Sequence, residues 1–371
     1  MSPSRIRISL FTAAMAVVFL SVLWLSSLTG SSSIDAEILD IVSTSDGWAD
    51  ESSCIQCHTQ AETFSETGHA NTLRPASSPA SQALLEQLVS SDAARHEETK
   101  IIQRDGAPTA VTRSNDIQHE LKLDWCFGSG THACTWASTI PDSHGNTDVL
   151  EFRFTWFASQ HGFELTPGQP ETKGGSPVSA LGLLFDGARA RRCFSCHATV
   201  LPVAHGRLDE SRIKPGVTCQ RCHGPREKHV QSEGEFHPPA WGPTDRMEAV
   251  NRCAVCHRLP EEKTVEEIVM GNPDIVRFQP MGLTQSPCFL SSKMRCTTCH
   301  DPHKKMAEQN STGIWQCVQC HDPETDNHTL CGMGRRDDCL TCHMPKVDVG
   351  FPVKFTDHWI RIRSPDGEVE R

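Results

Sequence analysis

One short pattern constrains this chain more than any other, because it occurs seven times. Six copies of Cys-x-x-Cys-His lie between Cys193 and His343, and a seventh begins far upstream at Cys54. Together they use fourteen of the eighteen cysteines: Cys54, Cys57, Cys193, Cys196, Cys219, Cys222, Cys253, Cys256, Cys296, Cys299, Cys317, Cys320, Cys339 and Cys342. The histidines that end the motifs are His58, His197, His223, His257, His300, His321 and His343.

The spacing within the motif indicates covalent attachment of c-type haem. Two thiols three positions apart lie on one side of a helical turn and can each add to a vinyl group of one porphyrin, while the adjacent imidazole binds the iron. A single copy would also suit half of a zinc site or a redox dithiol. Seven copies, each followed by histidine, favour haem throughout, so we predict seven molecules of haem c (heme c).

Haem also resolves a shortage of apolar residues. The hydrophobic fraction is only 37%, and part of it lies in the first thirty residues. Because each porphyrin is a large apolar plate, the haems would supply much of the core. The net charge of −11 disfavours a nucleic-acid partner. An acidic surface serves solubility in most proteins, and here it could also steer the chain towards a basic redox partner.

The N-terminus predicts export. Residues 8–28 form a mostly apolar run of 21 residues behind Arg5 and Arg7, long enough to span a bilayer as a helix. A cleaved secretory signal has a shorter apolar core of about 7–15 residues. We therefore expect an uncleaved anchor that holds the protein on the periplasmic side of the membrane. Cleavage near residues 31–33, which would release a soluble periplasmic protein, is the alternative.

Four regions follow from these features. Residues 1–30 are the membrane anchor or signal, 31–80 a spacer with the first haem site, 81–190 a β-rich insert, and 191–371 a six-haem region. In the insert, Asp105-Gly106 predicts a hairpin turn, and residues 149–157 alternate like a half-buried strand with Phe152, Phe154 and Trp156 on one face. Residues 77–89 predict a short helix. The expected fold is a multihaem cytochrome c of mostly short α-helices and loops packed around haems, with a small β-rich insert.

Several longer strings resemble a known group. They are FGSGTHA (127–133), WFASQHGFELTPG (156–168), GVTCQRCHGPREKH (216–229), SPCFLSSKMRCTTCHDPH (286–303), CLTCHMPK (339–346) and FTDHWI (355–360). They are similar to strings of exported multihaem cytochromes c, in the group that includes tetrahaem cytochrome c of ammonia oxidisers and the hydroxylamine oxidoreductases. The resemblance covers about residues 51–362. Two catalytic features of such relatives are missing, because the chain has no tyrosine to cross-link to a haem and no motif ends in lysine.

The resemblance and the positions of the remaining histidines imply the sixth ligands of the irons. These are His69, His132, His205, His229, His303, His328 and His358, whereas His96, His119, His144, His161 and His237 are expected to be bystanders. Bis-histidine ligation closes both faces of an iron and favours electron transfer, while a missing ligand would leave a site for a small molecule.

Four cysteines lie outside the motifs: Cys126, Cys134, Cys288 and Cys331. Free thiols are uncommon in an oxidising compartment. A Cys126–Cys134 disulfide around the Gly-Ser-Gly segment and a Cys288–Cys331 disulfide are two options, and isolated buried thiols are the third.

Three functions remain open from the sequence. The leading one is a membrane-tethered electron carrier that exchanges electrons with redox partner proteins. The second is an oxidoreductase acting on a small nitrogen or sulfur compound at one open haem, beside the β-rich insert. The third is a structural or docking subunit of a respiratory complex.

Overall fold

The computed structural model describes residues 47–204, 207–237, 245–258, 263–309, 313–322, 331 and 338–361 of the chain. Three predicted features lie outside these residues: the apolar segment at 8–28, His205 and His328. Within the described ranges, no helix combines the length and the hydrophobicity that crossing a bilayer requires.

Two antiparallel sheets lie between the first and second motifs. Their strands are β1 (Leu73–Pro75), β2 (Lys100–Arg104), β3 (Ala107–Ser114), β4 (Ile117–Lys122), β5 (Trp125–Phe127), β6 (Ala133–Pro141), β7 (Thr147–Phe157), β8 (Gly162–Leu165) and β9 (Gly182–Phe185). The larger sheet has the order β1-β5-β6-β7-β8, with β9 also paired to β7. Strands β8 and β9 pair with different halves of β7, which is long enough to hold both.

The smaller sheet is the meander β2-β3-β4. Arg104 pairs with Ala107, so the turn between β2 and β3 contains only Asp105 and Gly106. Both residues have positive φ, 51° and 76°, as a type I′ turn requires. The hairpin predicted from the Asp-Gly pair is confirmed.

A helix packs against one face of the larger sheet. It spans Pro79–Leu85, continues as a 3₁₀ turn over Glu86–Ser90, and begins after Ser78 with proline in its first turn, which confirms the helix predicted at 77–89. The indole nitrogen of the fully buried Trp136 donates to the Ser81 hydroxyl at 2.7 Å. This bond satisfies the polar atom of the largest fully buried side chain in the described chain.

Strand β7 is more deeply buried than its alternating pattern predicts. Phe152, Phe154 and Trp156 lie in the core as expected, but Arg153, Thr155 and Phe157 on the other face are buried too. The prediction of a half-buried strand is therefore wrong for residues 152–157. The reason is Arg153, which is 1% exposed. It reaches the Glu97 carboxylate at 2.6 and 2.7 Å and the Pro170 carbonyl at 2.9 Å, so the chain around it covers the second face.

This buried ion pair gives a stability prediction. Glu97→Gln removes the only carboxylate paired with Arg153 in the described chain, and breaking a buried pair leaves an uncompensated charge. We expect a loss of about 3 kcal/mol, seen as a lower midpoint of thermal unfolding by circular dichroism. Glu248→Gln, which breaks the exposed Arg252–Glu248 pair, is the matched control and should cost less than about 1 kcal/mol. Equal midpoints for the two variants would contradict the prediction.

The remaining helices are short, and seven of them carry the Cys-x-x-Cys-His motifs. The motif helices are Ser52–Ile55, Gly187–His197, Cys219–His223, Arg246–His257, Cys296–Cys299, Gly313–Val318 and Cys339–His343. The other described helices are Asp92–His96, Pro177–Leu181, Glu227–Gln231, Gln279–Leu283, Pro287–Ser291 and Met306–Gln309, with 3₁₀ turns at Thr59–Glu66 and Glu210–Arg212.

Three small hairpin-like pairs complete the fold. Their strands are β10 (Ala198–Val200), β11 (Val203–Ala204), β12 (Arg207–Leu208), β13 (Lys214–Pro215), β14 (Lys346–Asp348) and β15 (Lys354–Thr356). They pair as β10-β13, β11-β12 and β14-β15. The last pair follows the seventh motif directly.

Candidate haem-binding sites

Each motif lies on or at the end of a helical turn that brings its cysteines and its histidine together. In the first motif, the His58 amide donates to the Cys54 carbonyl at 2.9 Å. The same bond joins His300 to Cys296 at 3.0 Å and His321 to Cys317 at 2.9 Å. Since residues three and four apart share one side of a helix, both sulfurs and the imidazole can reach one flat ligand.

Four motif histidines face a second histidine across a constant gap. The pairs are His58–His229 with ring centroids 6.3 Å apart, His223–His303 at 6.3 Å, His69–His257 at 6.3 Å and His300–His358 at 6.2 Å. Imidazoles on opposite sides of one metal ion have nitrogens about 2 Å from it and ring centres about 1 Å further, which places the centroids about 6 Å apart. The gap is therefore the one that two axial ligands of a single iron would leave.

Hydrogen bonds at Nδ1 orient these rings. His229 Nδ1 lies 2.7 Å from the Phe236 carbonyl, and His358 Nδ1 lies 2.9 Å from the Thr356 carbonyl. Other bonds of this kind join His257 to the Gln279 side-chain oxygen at 2.9 Å, His303 to the Asp301 carboxylate at 3.1 Å, His343 to the Arg361 carbonyl at 2.6 Å and His197 to the Thr72 carbonyl at 2.9 Å. When Nδ1–H donates to an oxygen, the lone pair stands on Nε2, which is the arrangement of metal-binding histidines.

Desolvation by the surrounding chain favours the neutral form of several of these imidazoles, although His69 and His257 are exposed residues. It lowers the pKa of His69, His223 and His257, and it lowers the pKa of His358 to about 4. A neutral imidazole has a free lone pair at neutral pH, whereas an imidazolium has none. These side chains are therefore in the protonation state that binds a metal.

The seven motifs form one connected set. Sulfur atoms of different motifs are in hydrogen-bonding contact at Cys54–Cys219, Cys196–Cys256, Cys253–Cys296 and Cys317–Cys339. Two further pairs, Cys222–Cys253 and Cys299–Cys317, are close enough to interact electrostatically. We number the motifs along the chain, from motif 1 at Cys54 to motif 7 at Cys339. These contacts join the motifs in the order 1-3-4-5-6-7, and motif 2 branches from motif 4.

The structure places the other candidate ligands differently. His132 is not set against a motif histidine in the described chain; its ring centroid lies 6.3 Å from that of Phe355 on β15, the strand pair that follows His343. His205 and His328 lie outside the described residues. Of the expected bystanders, His119 is buried on β4, and His144, His96 and His237 are exposed. His161 lies edge-on to Trp156.

Several of the residues that orient the rings are distant in the chain from the histidines that they contact. Thr72 lies far from the second motif in the chain, yet its hydroxyl is 2.7 Å and its carbonyl 2.9 Å from His197 Nδ1. No local pattern predicts a contact over that separation. Asp301 is different, because it lies two residues before His303 in an Asp-Pro-His string, and that spacing could have indicated it.

The non-motif cysteines fall into two groups. Cys126 and Cys134 are both fully buried and their sulfurs are in contact. Cys288 interacts with Cys320, and Cys331 interacts with Cys339. All of them are thiols in the structure.

Comparison with known proteins gives a likeness in structure. No family model and no curated protein matches the chain. A solved structure, that of the outer cell wall cytochrome OcwA, is similar with a TM-score of 0.53 at 14% sequence identity, over 86% of this chain and 81% of that one. This likeness does not test the resemblance to tetrahaem cytochromes and hydroxylamine oxidoreductases. The chain therefore shares the fold of an outer cell wall cytochrome.

Proposed function

We propose that the protein is an exported seven-haem cytochrome c that transfers electrons along a chain of mostly bis-histidine haems. The observation that carries this proposal is the set of four histidine pairs with centroids 6.2–6.3 Å apart. Four separate pairs at one spacing fit axial ligation better than chance packing of side chains. In each pair, one histidine belongs to a motif that can hold the same haem through two cysteines.

The residues of the chain have distinct tasks in this function. The iron supplies the chemistry, a reversible one-electron change between its ferric and ferrous states. The motif cysteines would attach each porphyrin, and the paired imidazoles would bind the iron from both sides. Carbonyl and side-chain oxygens such as those of Thr356 and Gln279 hold the rings in place through Nδ1. Fixed ligands lower the reorganisation that accompanies each electron transfer, and a closed coordination sphere excludes small molecules.

The contacts between motifs support transfer along the whole chain. Electron tunnelling falls off exponentially with distance, so neighbouring porphyrins must lie nearly in contact. The sulfurs of motifs 1 and 3 touch at Cys54–Cys219, and those of motifs 6 and 7 touch at Cys317–Cys339. Haems attached to cysteines in contact would be held close together. Motif 1 and motif 7 are then the two ends of one path, and motif 2 is a branch.

Export and partners are part of the same proposal. The apolar segment at 8–28 and the attachment of haem outside the cytoplasm favour a periplasmic location, either anchored or released by signal cleavage. The partners would be redox proteins, including subunits of a respiratory complex. An oxidoreductase acting at one open haem is the alternative, and binding of carbon monoxide by the unmodified reduced protein would favour it.

We expect seven covalently attached haems per chain, because every motif has both thiols and the histidine. Intact-mass measurement of the exported protein, together with a pyridine haemochrome assay, counts them. A fully matured protein with six haems or fewer would contradict this expectation.

The N-terminal segment is expected to stay attached to the membrane, because its apolar run is longer than an ordinary signal core. Membrane fractionation followed by N-terminal sequencing tests this. Protein that is released without detergent and begins near residues 31–37 would instead support signal cleavage.

A further inference from the structure

We propose that Cys126 and Cys134 form a disulfide in the exported protein, which closes the loop of residues 127–133. These two cysteines belong to no haem motif. The inference depends on the proposed export only for its oxidising compartment. Its geometry comes from the β-rich region and is independent of the haem count.

The two cysteines lie on neighbouring antiparallel strands with their sulfurs together. Cys126 is the middle residue of β5 and is paired in register with Trp136, two positions beyond Cys134 on β6. Residues two apart on a strand face the same side, so both thiols point to one face. The sulfurs are already in hydrogen-bonding contact, and both residues are 0% exposed. Forming the bond would bring the two sulfurs from this contact to about 2 Å apart.

The loop between them is already held in a tight turn. Gly128 has φ of +100°, and a Cβ there would lie 2.3 Å from the Ala133 carbonyl oxygen, so only glycine fits. Arg74 on β1 donates to the Gly128 carbonyl at 2.8 Å and to the Cys134 sulfur at 3.2 Å. These contacts hold both ends of the loop in the folded chain without a covalent bond, so the disulfide would join positions that the fold itself brings together.

Formation of the bond is a two-electron oxidation. A thiolate of the pair attacks the disulfide of an oxidised exported thiol–disulfide exchange protein and forms a mixed disulfide. The second thiol, after losing its proton, attacks that bond and releases the exchange protein as its dithiol. The chain loses two electrons and two protons, and the exchange protein gains both. Because both sulfurs are fully buried, the exchange takes place before this part of the chain finishes folding.

The closed loop would stabilise the boundary between the β-rich region and the haem sites. Phe127 lies edge-on to the ring of His197, with centroids 5.3 Å apart. At the other end of the loop, His132 lies against Phe355 beyond the seventh motif. A disulfide at the base of the loop therefore restrains residues that contact the surroundings of two motifs.

Peptide mapping of the full haem-loaded chain tests the bond directly. The cells are treated with an alkylating reagent before lysis, and the protein is then denatured without reductant in fresh reagent, so that buried thiols are labelled too, and digested with trypsin. Cys126 and Cys134 fall in one tryptic peptide, residues 123–153. We expect this peptide to be unlabelled and lighter than its reduced form by two hydrogen atoms. After reduction it should take two labels.

The other cysteines provide the controls. The motif cysteines carry haem and take no label, so labelling of the fourteen motif cysteines with an unlabelled 123–153 peptide would count against the haem proposal and not against the disulfide. Cys288 and the exposed Cys331 are more accessible than the buried pair and report adventitious oxidation. Two labels on the 123–153 peptide of the unreduced sample would overturn the disulfide. The proposal would also fail if this peptide loses two hydrogen atoms only in samples in which Cys288 and Cys331 are oxidised as well.

A stability measurement separates a formed bond from buried thiols. The double variant Cys126→Ala, Cys134→Ala is compared with the parent, each with and without a dithiol reductant. For a loop of this size, we expect reductant to raise the unfolding equilibrium constant of the parent by on the order of 100-fold. The unfolding equilibrium constant of the variant should not change with the reductant, apart from any effect of haem reduction, which is common to both proteins. An equal response of both proteins would contradict the proposal.

Discussion

Replacing His358 by alanine is expected to convert one low-spin haem to high spin and to make the reduced protein bind one carbon monoxide. His358 faces His300 with ring centroids 6.2 Å apart, and its Nδ1 is held by the Thr356 carbonyl. Burial lowers its pKa to about 4, so the parent imidazole is neutral and able to bind iron. Alanine removes this ligand and leaves a cavity on one face of the haem of the fifth motif.

The surrounding chain should tolerate this change. The Ser286 hydroxyl donates to the His358 backbone carbonyl at 3.1 Å, and that bond does not depend on the side chain. Electron paramagnetic resonance of the oxidised variant and a carbon monoxide titration of its reduced form are the measurements. His237→Ala is the matched control, because His237 is exposed and its loss should change neither signal. A variant at His358 with parental spectra would mean that another group ligates this iron.

Removing the fourth haem is expected to divide the electron path in two. Motif 4 touches motif 2 through Cys256 and motif 5 through Cys253, and it lies beside motif 3 through Cys222. The double variant Cys253→Ala, Cys256→Ala cannot attach this haem covalently. Among the described residues, the sulfur interactions that link motifs 1 and 3 to motifs 5, 6 and 7 all pass through motif 4. Because tunnelling falls exponentially with distance, equilibration between the two groups should slow by orders of magnitude.

Freeze-quenched electron paramagnetic resonance after mixing with substoichiometric reductant follows this equilibration among the low-spin haems. The matched control is Cys54→Ala, Cys57→Ala, which removes the first haem. That haem is at one end of the path, so its loss should leave equilibration among the other six fast. Intact mass confirms that each variant holds six haems. Equally fast equilibration in both variants would rule out motif 4 as the central link.

Local chemistry explains which features could be predicted from the sequence. The Asp105-Gly106 hairpin was predictable because a two-residue turn with positive φ at both positions is set by those residues themselves. The helix at Pro79–Leu85 follows in the same way from Ser78 and the proline after it. Strand β7 was only partly predictable, since burial of its second face depends on Glu97, a residue that is distant in the chain.

The sequence by itself determined where haem is expected to be attached, because two thiols and an imidazole within five residues have the spacing that this chemistry needs. It also limited the candidates for the sixth ligand of each iron to a small set of histidines. Only the tertiary structure decided which histidine faces which motif: His69 lies opposite His257 and not His58, and His358 lies opposite His300 and not His343. The physical reason is that these partners are far apart in the chain. Packing of separate segments brings them together, and that packing leaves no local pattern in the sequence.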